Sequence, residues 1–220
     1  MTAARPRFHE RVTSLERAAV SIGREVHRSI ADATDAWLRR DRVAGSAVDA
    51  RTAGWSGRAV DLELSAYELL ATQQPMATDL RRLTALVRLT EAVARSGDLV
   101  AHVGRSACFD REASAFTPTL RALVVEMAAM TAQLYGDALG AYEQSNAVAG
   151  QSVVEADQDL DALRNELLAV LIEQAVAVVP AIDLALLGRF YERVGDHAVD
   201  IASLASFVAT GRYVRSTFRA

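Results

Sequence analysis

The sequence predicts an all-α protein: two tandem antiparallel three-helix bundles related by a pseudo-twofold repeat. Three observations lead there. Alanine and leucine abound, only four of the 220 residues are proline, and β-branched runs are few, a composition that favours helix. Apolar residues recur at helical spacing over six long stretches joined by short turns, and such helices pack as antiparallel neighbours. The Arg-x-Gly-Asp core of Ala94-Arg95-Ser96-Gly97-Asp98 returns in Glu192-Arg193-Val194-Gly195-Asp196, with Asp98 and Asp196 98 positions apart. The repeat divides the chain into a first bundle, residues 1–110, and a second, residues 111–220.

The elements follow in order. Residues 8–40 place Val12, Leu15, Ala19, Ile22, Val26, Ile30 and Trp37 on one face of an amphipathic helix. Residues 43–72 form a second helix with a weak first half, and Gly54-Trp55-Ser56-Gly57 is expected to kink or break it. Gln73-Gln74-Pro75 stops that helix, and Pro75 is expected in the first turn of the third, which runs to Ala107. Residues 108–117 have no period and read as a connector. Thr117-Pro118 is an N-cap and first-turn pair for a fourth helix reaching about Asn146. Ala149-Gly150-Gln151-Ser152 is expected to turn into a fifth helix over 152–175. A sixth covers 179–210 and ends at Gly211, a suitable C′ residue.

Composition narrows the function. A net charge of −4 disfavours nonspecific nucleic-acid binding, so no direct nucleic-acid partner is expected. Cys108, the single cysteine, excludes an internal disulfide or a multi-cysteine metal site and reads as a buried spectator thiol. Residues 1–17 are charged and lack the apolar core of a signal peptide. The longest apolar run, Ala175 to Ile182, contains Pro180 and falls far short of the roughly 20 residues of a membrane span. The protein is therefore expected in the cytoplasm, with docking on a membrane protein left open.

The sixth helix carries the candidate chemistry. Leu187, Val194, Ala198, Ile201 and Ala205 fall in one arc and mark its core face. Glu192, Asp196 and Asp200, four apart, form a carboxylate ladder expected to look outward. Like charges at this spacing cost a few tenths of a kcal/mol per pair unless a cation neutralises them, and carboxylate oxygens suit Mg²⁺, Mn²⁺, Ca²⁺ or iron. Asp157 and Asp161 on the fifth helix are spaced likewise, and antiparallel packing brings them beside the ladder. Arg189 and Arg193 lie close enough to pair with it. His197 follows Asp196 and reads as a half-buried or surface histidine. No phosphate-binding glycine loop after a strand and no nucleophile–base spacing stands out, so no enzymatic activity is expected.

These motifs resemble the PhoU family of phosphate-signalling regulators. The first half carries Gln73-Gln74-Pro75-Met76-Ala77-Thr78-Asp79-Leu80-Arg81 and Arg95-x-Gly97-Asp98. The second carries Val154-Glu155-Ala156-Asp157-Gln158-Asp159-Leu160-Asp161 and Glu192-Arg193-Val194-Gly195-Asp196-His197. The resemblance implies a negative regulator of phosphate uptake and of the phosphate-starvation response, acting by protein–protein contact. It implies as partners the ATPase subunit of a phosphate ABC transporter (PstB-like) and a sensor histidine kinase (PhoR-like), and a homodimer. It also implies metal clusters, one per bundle, of divalent, iron, manganese or zinc ions on paired acids. Here the second set is complete in Asp157, Asp161, Glu192 and Asp196, with Asp200 next on the ladder. The first is degenerate. Ala94 stands where an acid is expected, the opposing positions fall near Thr52 and Ser56, and only Asp98 and Glu91 remain. Metal is therefore expected at the second bundle alone. Two other readings use the same residues: a metal-dependent enzyme working in the carboxylate groove, and a helical adaptor.

Overall fold

Six helices account for nearly all of residues 4–108 and 116–213, the residues described by the structure, a computed structural model. They are α1 (Ala4–Arg39), α2 (Arg42–Gln73), α3 (Thr78–Ser106), α4 (Pro118–Glu143), α5 (Ala147–Glu173) and α6 (Val178–Thr210). Helices α1, α2 and α3 pack on one another, as do α4, α5 and α6. The two bundles meet where α1 lies on α4 and α3 on α6. Their apolar faces merge into one core holding Ile22, Leu86 and Leu89 from the first bundle and Met127, Leu160 and Leu187 from the second. Tyr191 of α6 is 2% exposed and shares a hydrogen bond of 2.8 Å with the Thr34 hydroxyl of α1, tying the bundles together. The 110/111 boundary lies outside the described residues, as does most of the 108–117 connector.

The repeat is built into the backbone. The turn after α1 has Arg40 at φ 57°, and the turn after α4 has Ser145 at φ 48°. The next residues cap the following helices. The Asp41 carboxylate accepts from the Val43 and Ala44 amides, and the Asn146 carbonyl from those of Val148 and Ala149. Asp41 and Asn146 are 105 positions apart, as are Gly45 and Gly150. Both glycines are contact points. A Cβ on Gly45 would overlap the Gly104 carbonyl oxygen of α3, and one on Gly150 would lie 2.7 Å from the Ala202 carbonyl oxygen of α6. Gly104 and Ala202 are 98 apart. The hairpin joining α5 to α6 is thus seven residues shorter than the one joining α2 to α3. Seven residues are close to two helical turns, so the paired faces stay in register.

Four sequence expectations change. First, α2 runs unbroken through Gly54 and Gly57, because Trp55, 2% exposed, packs into the core from this stretch. Nothing lies within 4 Å of where a Cβ would stand on either glycine. Gly54→Ala and Gly57→Ala are each expected to stabilise the protein by about 0.5–1 kcal/mol, read as a raised thermal midpoint. Second, Pro75 lies in the loop before α3. The reversal uses positive φ at Gln74 (45°) and Ala77 (51°), and α3 starts only at Thr78. Third, Gly150 is helical, since its close approach to α6 requires α5 to start five residues before Ser152. Fourth, Cys108 is half-buried, its Sγ 3.8 Å from the Arg42 carbonyl and 3.9 Å from the Ser46 hydroxyl.

Candidate functional site

The carboxylates gather along the seam between α5 and α6. The seam is tight because Gly195 lets α5 come close. A Cβ there would stand 2.5 Å from a Leu160 methyl and 3.0 Å from Asp157 Oδ1, which sets Asp157 against α6 between Glu192 and Asp196. Asp161 is exposed one turn further along α5, and Asp157 and Asp196 are half-buried.

Glu192 does not look outward. Its side chain is 13% exposed, and two guanidinium groups hold it. Arg189 Nη1 lies 2.5 Å from Oε1, and Arg164 Nε lies 3.1 Å from Oε2. The Arg164 contact is an ion pair without a directed hydrogen bond, and both of its atoms are shielded from solvent. The hydrogen bond to Glu192 raises Arg189 above the ordinary guanidinium value. Burial opposes this, and the charges of Glu192, Asp196 and Asp161 reinforce it. Arg189 is therefore within the field of three of the four acids.

Asp200 leaves the ladder. Eight residues turn a helix about 80° past two full turns, and Asp200 faces α3, where it lines a small pocket with Arg88, Glu91 and Arg95. His197, 9% exposed, lines the same pocket and is buried, correcting the expectation of a half-buried or surface ring. Its Nδ1 lies 3.9 Å from Asp200 Oδ2 and its Nε2 has no hydrogen-bond partner. Glu91 pairs with Arg95 at 2.6 Å. Asp98 lies one turn on, exposed, where its charge raises the His102 pKa against the stronger lowering by burial and Arg105.

The first bundle fills the equivalent seam with other chemistry. The 105-residue register places Thr52 and Ser56 opposite Asp157 and Asp161, and Trp55 opposite Leu160. Thr52 is buried with no hydrogen bond to its hydroxyl. The Trp55 ring covers Gly97, its Cε3 2.8 Å from where a Cβ would be, and its indole N–H donates to Glu25 Oε2 at 3.1 Å. Arg58 grips the same Glu25 carboxylate with two bonds of 2.9 and 3.0 Å. That pairing, foremost, lowers the Glu25 pKa. Sequence reasoning missed Arg164 and the Trp55–Glu25–Arg58 group. Aligning α2 with α5 as carefully as α3 with α6 exposes the first, since Arg164 faces Ala59 in the repeat just as Glu192 faces Ala94.

The arrangement does not fit a bound metal as it stands. A hard cation needs several oxygens at about 2.0–2.6 Å. The Glu192 oxygens are covered by guanidinium groups, and among the described residues no three or more His, Cys, Asp or Glu side chains are placed to hold an ion.

Fold and site together define a tandem three-helix-bundle protein with an acid–arginine seam in its second half. No helix among the described residues is long and apolar enough to cross a membrane. Residues 124–205 match the PhoU domain. The chain is 30% identical over 95% of its length to the phosphate-specific transport system accessory protein PhoU homolog 2 of Mycobacterium tuberculosis, covering 99% of that protein. It is 28% identical to PhoU homolog 1 of Mycobacterium leprae over 95% of both chains. The crystal structure of the phosphate transport system regulatory protein PhoU from Streptococcus pneumoniae superposes with a TM-score of 0.85 at 18% identity, covering 94% of this chain and 99% of that one. The chain belongs to the PhoU family.

Proposed function

We propose that this protein is an accessory regulator of a phosphate transport system that restrains uptake by protein–protein contact. One observation carries the reading: its similarity to named transport accessory proteins runs through both bundles. The surface suits such a role. Ile172, Val178 and Val179 stand 81%, 73% and 68% exposed around the α5–α6 turn, with Ile182 one turn along. Apolar residues grouped in this way commonly mark contact surfaces. The partners that fit are the ATPase subunit of a phosphate ABC transporter and the sensor histidine kinase of the phosphate-starvation response. The regulator works in the cytoplasm, reaching the membrane through them, and no catalytic step is assigned to it. Affinity purification of the tagged chain from cells grown at high and low phosphate tests the reading. Recovery of the transporter ATPase or the kinase, changing with phosphate, is the expected result. Recovery of neither in both conditions contradicts it.

A further inference from the structure

We propose that Arg164 and Arg189 take the place of a bound cation against Glu192, so that this carboxylate is neutralised by the chain itself. Both Glu192 oxygens face a guanidinium, at 2.5 Å from Arg189 and 3.1 Å from Arg164, with the Arg164 side inaccessible to solvent. A hydrated divalent ion reaches Oε1 only if Arg189 withdraws and Oε2 only if Arg164 does, and their positive charge opposes its approach. Arg189 also feels Asp196 and Asp161, so its charge serves most of the set.

The repeat supplies an independent observation. The first-bundle equivalents of Arg164, Arg189 and Glu192 are Ala59, Glu91 and Ala94. Where the acid is absent, both guanidinium groups are absent too, and Glu91 turns to Arg95 on its own helix at 2.6 Å. Cation and acid vary together between the two copies, as expected of a built-in counter-ion. Arginine suits this role because it stays charged at all accessible pH and its planar fork spans two carboxylate oxygens.

The test is a titration of the purified chain with Mn²⁺, followed by calorimetry and by metal content after dialysis. The proposal expects no saturable Mn²⁺ site in the unaltered protein. It expects such a site in the Arg164→Gln/Arg189→Gln double variant, bound at least about tenfold more tightly than any residual association of Mn²⁺ with the unaltered protein, equivalent to about 1.4 kcal/mol. Adding Asp196→Asn is expected to remove the new site. Circular dichroism reports whether the double variant folds. If it does not, Arg189→Gln alone carries the test, because Arg189 is nearly half exposed at 47% and its loss spares the core. Saturable Mn²⁺ binding to the unaltered protein that Glu192→Gln abolishes overturns the proposal. So does a folded arginine variant that gains no site.

Discussion

Arg164→Ala is expected to destabilise the protein by about 3 kcal/mol, because it strips a half-buried carboxylate, whose facing oxygen is shielded from solvent, of one of its two cations. Glu192 has 13% of its side chain exposed, and Oε2, the oxygen facing Arg164, is out of reach of solvent. Arg189 remains on Oε1, which keeps the loss at the low end of the range for broken buried pairs. The double variant Arg164→Ala/Glu192→Ala is expected to recover most of it. The first bundle already demonstrates the arrangement: Ala59 and Ala94 occupy the equivalent positions, and α2 and α3 pack without them. A double-mutant cycle measured by thermal or urea unfolding gives the coupling directly, expected at about 1–3 kcal/mol. Additive single losses would show that the two residues act separately.

Gly45→Ala is expected to cost about 2–3 kcal/mol, at the upper end for overpacking, since the obstruction is backbone. The added methyl meets the Gly104 carbonyl oxygen, and no side-chain rotation relieves it. Helices α2 and α3 must separate along the crossing that sets the first bundle's register. Gly104→Ala meets the reciprocal obstruction, 2.9 Å from the Gly45 carbonyl oxygen. The contrast with Gly54→Ala in the same helix is the sharper check. One substitution lowers the thermal midpoint and the other raises it, roughly 2–4 °C per kcal/mol at this chain length. Equal and small effects would mean that the crossing is looser than described.

The six helices and their pairing were legible because apolar periodicity and turn chemistry agreed along the chain. Thr117-Pro118 opened α4 as the pattern required, and Gly211 closed α6 at φ 80°. Misreadings arose where tertiary contact overrides local propensity. Gly54 and Gly57 weaken a helix in isolation, but burial of Trp55 carries α2 through them. Gly150 read as a turn because glycine opposes helix, whereas here the absence of a Cβ permits α5 to touch α6. At the site, four-residue spacing grouped Asp157, Asp161, Glu192 and Asp196, which lie along the α5–α6 seam. It failed for Asp200, since a four-residue step drifts about 40° each time around the helix axis. It also gave no sign that Glu192 points inward, because that depends on Arg164, a residue on another helix.

Phosphate uptake at high external phosphate, compared between cells with and without this chain, tests the central claim most directly. Restraint of the transporter predicts faster uptake and a raised phosphate-starvation response when the chain is absent, both reversed on restoring it. Unchanged uptake and an unchanged starvation response would contradict the account.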